Sequence, residues 1–165
     1  GNHDNKCLKE PAKNKKVEYL FDSGTEFEGL KIWGSPWTKR FPGMNPKCKA
    51  FTVDTEEELA KKWEMIPDDT DILITHSPPL GMFDQVYRMD TGKVECCGSL
   101  SLTAIVGNIR PKLHIYGHIH EGYGSLTSSK EYSPAFFDRS PTTFVNASHV
   151  NEYYKPVNKP VRIIL

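Results

Sequence analysis

Two short apolar runs, DILITH at 71–76 and KLHIYGH at 112–118, flank a stretch with helical patterning, SLSLTAIVGNI at 99–109. No other feature constrains the fold as much. The first run reads as a buried strand stopped by Ser77-Pro78-Pro79, and the helix is ended by Pro111. A helix between two such strands is a β-α-β unit, so the expected class is α/β with partly parallel strands. In sheets of that kind functional groups gather just beyond the carboxyl ends of the strands. His76 ends one run, and His118 and His120 follow the end of the other. The histidines therefore belong to one neighbourhood.

The rest of the chain supports this frame. VEYLFD at 17–22 and LKIWGS at 30–35 read as a hairpin around the turn SGTEFEG. Residues 36–51, rich in Pro, Gly and aromatics, read as a surface loop. In TEEELAKKWEMI at 55–66, Thr55 and Glu58 form a capping box, and Leu59, Trp63 and Ile66 share one face. TTFVNAS at 142–148 and PVRIIL at 160–165 complete the expected sheet.

Charge and cysteine content narrow the function classes. Lys plus Arg and Asp plus Glu are 21 each, so the net charge is zero. The basic stripe of a nucleic-acid binder is missing, and KNKK at 13–16 reads as a solvated loop. No run approaches the ~20 apolar residues that span a bilayer, which excludes a membrane partner of that kind. Cys7, Cys48, Cys96 and Cys97 lack C-x-x-C spacing and read as free thiols. With no signal-peptide pattern at the start, a cytoplasmic location is expected.

Three blocks carry the chemistry: Gly-Asn-His-Asp at 1–4, Thr-His-Ser-Pro-Pro at 75–79 and Gly-His-Ile-His at 117–120. Imidazoles two residues apart in an irregular turn can approach one metal cluster. In this order the blocks resemble the calcineurin-like metallophosphoesterases. GSPW at 34–37, DILITHSPPLG at 71–81, GHIHEGYG at 117–124 and VNAS at 145–148 are similar to the metallophosphoesterase-domain-containing subgroup. The resemblance spans residues 1–165 as one domain. It implies an αββα four-layer sandwich, here without its amino-terminal strands and helices.

It also implies a binuclear centre of two divalent ions, Mn first, then Fe or Zn. Asn2, His76 and His118 would hold one ion and His120 the other. His3 would act as general acid beside the leaving group. Asp4 and Glu121 would lie next to the site or substrate. The implied activity is hydrolysis of cyclic nucleotides or similar small phosphodiesters by a metal-bound hydroxide. Two cations neutralise the anionic oxygens that repel a nucleophile, and an imidazole can protonate the departing alkoxide.

The family also uses an Asp-x-His block and a Gly-Asp block upstream of Gly-Asn-His. Neither pattern occurs in this chain, so both are expected before Gly1. Taken alone, the sequence supplies three ligands for one ion and one for the other. That count leaves an alternative, a catalytically weak nucleotide-binding or regulatory protein with the phosphoesterase fold. A histidine-triad hydrolase needs His-x-His-x-His, and glycine at position 122 argues against it.

Overall fold

The computed structural model describes residues 1–3, 17–40, 48–128 and 141–165. Along the chain lie β1 (Ser23–Phe27), β2 (Leu30–Ser35), β3 (Thr38–Lys39), β4 (Thr52–Val53), α1 (Glu56–Trp63) and β5 (Ile72–Thr75). They are followed by β6 (Gln85–Arg88), β7 (Lys93–Cys96), α2 (Leu100–Ile109), β8 (Leu113–Tyr116), β9 (Gly124–Thr127) and β10 (Thr143–Asn146). The main sheet has the order β1-β2-β5-β8-β10-β9. Its four inner strands are parallel, and each outer strand pairs antiparallel. The β-α-β unit expected from 71–118 is β5, α2 and β8.

Local chemistry explains both helices. Thr55 accepts from the Glu58 N–H at 3.2 Å, and Glu58 accepts from the Thr55 N–H at 3.2 Å, closing the capping box at the start of α1. Ser99 caps α2 by accepting from the Leu102 N–H at 3.1 Å. The two helices are linked, because the Ser99 hydroxyl donates to Glu56 at 2.7 Å and accepts from the Trp63 indole N–H at 3.0 Å. The apolar faces of the helices then close over one side of the sheet. Leu59, Trp63, Leu102 and Val106 join Leu73 and Phe144 in a single buried cluster.

Register puts Trp33, Leu73, His114 and Phe144 in one row across the four parallel strands. Two residues nearer the carboxyl ends, the same face turns polar. There Ser35 pairs with Thr75 and Tyr116 pairs with Asn146, and all four are buried. A helical layer and one sheet are thus the part of the expected sandwich that the described residues supply. On the other face Ile74 is 39% exposed, so the reading of 71–76 as a fully buried strand holds for one face only.

Three expectations need correction. Residues 17–22 form no strand; the strand is 23–27, most of the stretch read as a turn. The chain reverses at Glu28 and Gly29, whose φ values of 50° and 77° let Phe27 pair directly with Leu30. Residues 160–165 form no strand either, and Ile164 and Leu165 are exposed. The loop at 36–51 contains strand β3, held by Thr38 N–H to Phe51 carbonyl at 2.9 Å, and leads into β4. The structure also has two strands not anticipated at 85–96, an antiparallel ribbon. Asp4, Cys7, Phe41 and the KNKK run lie outside the described residues.

Candidate metal centre

The site is built on the carboxyl ends of β2, β5, β8 and β10. His76 extends the sheet ladder one residue past β5: its N–H donates to Ser35 O at 3.2 Å, and its carbonyl accepts from Gly117 N–H at 3.3 Å. Gly1 lies so close to the His76 ring that a Cβ there would sit 2.3 Å from Cε1. Glycine at that position lets Asn2 approach. Asn2 is 5% exposed, and its Oδ1 lies 3.0 Å from His76 Nε2.

His118 meets His76 ring to ring, with centroids 4.6 Å apart and planes at 54°. Thr38 Oγ1 lies 3.3 Å from His118 Nε2. The backbone at His118 is strained. Its φ is 68°, and Ile119 N–H donates to Gly117 O at 2.8 Å across it, closing a three-residue turn. Burial holds His76 down to about 2, with His118 adding the next largest effect. Burial also holds His118 down to about 4, followed by repulsion from His120. Both rings are therefore neutral at pH 7, the form that offers a lone pair to a cation.

These residues fit a cation in part. Asn2 Oδ1 and His76 Nε2 lie 3.0 Å apart and can each offer a lone pair to one cation. Neutral imidazoles and an amide oxygen suit Mn, Fe or Zn. Among the described residues no group of three or more His, Cys, Asp or Glu is gathered closely enough to hold a metal ion. The third donor of the set is instead the Asn2 amide. Among the described residues, His120 is the one expected to hold a second ion, and it lies in a short 3-10 turn at His120–Gly122.

The other expected residues are spread around this trio. His120 packs edge-on against Tyr154, with centroids 5.0 Å apart and planes at 88°. His3 is exposed and lies 6.4 Å from the same Tyr154 ring. Its Nδ1 is 3.3 Å from the Sγ of buried Cys48. Glu121 is exposed and lines a cleft of about 350 Å³ together with Asp84 and Gly122. Asp4 lies outside the described residues.

Sequence reasoning passed over Thr38, Cys48, Asn146 and Tyr154. VNAS did single out the segment holding Asn146. Thr38, Cys48 and Tyr154 had no signal, because each reaches the site from a loop or strand remote in sequence.

Human and mouse proteins named Metallophosphoesterase domain-containing protein 1 are each 38% identical to this chain over 148 residues, 89% of it. Two UPF0046 proteins of Caenorhabditis elegans are 36% and 33% identical over 87% and 88% of it. The chain spans 39% of the mammalian relatives and 31% and 42% of the nematode ones. No protein-family model matches the chain. A solved structure from Thermus thermophilus aligns with 78% of this chain and 48% of its own at 16% identity and a TM-score of 0.41, too slight a likeness to argue from.

Proposed function

Because this chain is a homologue of the metallophosphoesterase-domain-containing proteins, we propose that it carries part of the metal site of a phosphoric ester hydrolase. Its substrates are cyclic nucleotides or similar small phosphodiesters. The observation that carries this reading is the convergence of Asn2, His76 and His118 at the strand ends. These residues hold one divalent cation, with Mn ahead of Fe and Zn, and His120 contributes to a second. The bound cations neutralise phosphate charge and supply a nucleophile near neutral pH.

The protein's own residues do the rest. Burial keeps the His76 and His118 imidazoles neutral, so protons do not compete for their lone pairs. His3 is exposed at the rim, where it can pass a proton to a departing oxygen. Tyr154 stands beside it, 65% exposed, and offers a ring face to a nucleobase or aryl group. This aromatic ring, rather than any base-reading motif, supports the nucleotide class.

A second reading also has an observation behind it: His120 is the one expected ligand of the second ion among the described residues. On that reading the protein binds the nucleotide and turns it over poorly. Hydrolysis of bis-p-nitrophenyl phosphate with Mn²⁺ separates the two. Metal-dependent turnover that falls at least 100-fold in His76→Ala supports the enzyme. Nucleotide binding without turnover supports the binding protein.

A further inference from the structure

We propose that Asn146 is a positioning residue, which holds the strained turn at His118 so that His118 and His120 face the site. The proposal rests on the reading that these histidines serve a metal centre. Asn146 ends β10 and is fully buried. Its Nδ2 donates to the Ile119 carbonyl at 2.7 Å, and the more distant Phe83 carbonyl lies 3.4 Å away. Its Oδ1 accepts from the Ser148 N–H at 3.0 Å and from the Ser148 hydroxyl at 2.7 Å. The same hydroxyl lies 3.4 Å from the Ile119 carbonyl.

Every one of these bonds bears on the residue between the two histidines or on the partner that holds it. A non-glycine residue at positive φ persists only where its surroundings over-determine it. Ile119 is 4% exposed; its N–H is held by the Gly117 carbonyl at 2.8 Å and its carbonyl by Asn146 Nδ2 at 2.7 Å, so the peptides on both sides of Ile119, between the two histidines, are fixed. Packing closes the other side of the turn. At Gly122 a Cβ would sit 2.0 Å from the Phe83 carbonyl oxygen and 3.0 Å from Asn146 Nδ2. The Asn146 amide thus ties together three segments: β10, the His118–His120 turn and the Phe83 loop. Such outer partners commonly change metal affinity by 10- to 100-fold when removed.

The test compares Asn146→Asp, which keeps the shape but puts an acceptor against the Ile119 carbonyl, with Val106→Ala, a core change in α2 away from the site. The first readout is the His118 ring Cε1–Hε1 resonance of the metal-free protein, and the second is Mn²⁺ affinity by electron paramagnetic resonance. In N146D the His118 resonance should shift or split and the affinity should fall at least tenfold. In V106A both should stay as in the wild type, despite its lost stability. If N146D does not fold, Ser148→Ala, which removes only the hydroxyl, should give the same resonance change at smaller size. An unchanged His118 resonance in the folded variant overturns the proposal, and so does an equal change in V106A. Wild-type protein that binds no Mn²⁺ removes the phosphoesterase reading instead, and the resonance still decides whether Asn146 holds His118.

Discussion

His114 shows how a single buried residue can carry a hidden cost. It lies wholly buried in the central row of the sheet, where its Nε2 is 2.9 Å from Thr75 Oγ1. The Thr75 hydroxyl donates to the Ser77 carbonyl at 2.6 Å, so His114 Nε2–H is the donor to Thr75. Nδ1 has no hydrogen-bond partner among the described residues. Burial holds the imidazole down to about 3, below the ~6.5 of a free one. The sign follows: below pH 6.5 the unfolded chain takes a proton that the folded chain refuses, so stability falls with pH until about 3. Between pH 7 and pH 5 this one group should cost about 2 kcal/mol. Urea midpoints at both pH values check it, since His114→Gln, which keeps the donor to Thr75, should lose that much less on acidification. An equal loss in both proteins would contradict the assignment. That His76 and His118 would lie close together was legible from the sequence because both follow predicted strands, whereas Asn2 entered only through the resemblance. The strain at His118 was not, because a φ value depends on what Asn146 and Ser148 hold in place.

Elements were legible where the signal was local. The capping box at Thr55 and the β5-α2-β8 unit follow from short-range patterns, and the structure contains both. The hairpin was misplaced because Glu28-Gly29 is a weaker turn signal than Asn-Gly or Asp-Gly. The apolar PVRIIL looked like a strand by composition, yet it has no neighbour to pair with among the described residues. Ser99 lay beyond local reading too, since its hydroxyl joins both helices through Glu56 and Trp63. Ser99→Ala should therefore cost more than the ~1 kcal/mol of an ordinary cap. It also leaves the buried Trp63 indole N–H unpaired, which adds roughly 1–3 kcal/mol. Denaturant unfolding should give a total loss of about 2–4 kcal/mol; a loss under 1 kcal/mol would show that the two helices are not joined through this hydroxyl.

At the scale of the whole molecule, the sheet divides labour along its strands. The central row packs against the helices, the next row toward the carboxyl ends is polar and buried, and the histidines stand just beyond it. That gradient explains how neutral imidazoles can be held rigidly at a surface. Among the described residues no helix is long and apolar enough to cross a membrane.

The claim beneath all of this is that three residues from distant parts of the chain share one cation, and cobalt tests it most directly. Titration with Co²⁺, followed by its visible absorption, should give saturable binding to the wild type. Affinity should fall at least tenfold in Asn2→Ala, His76→Ala and His118→Ala, and should not change in His149→Ala, which alters an exposed histidine outside the trio. Equal affinity across all five proteins, or no saturable binding by the wild type, would contradict the account.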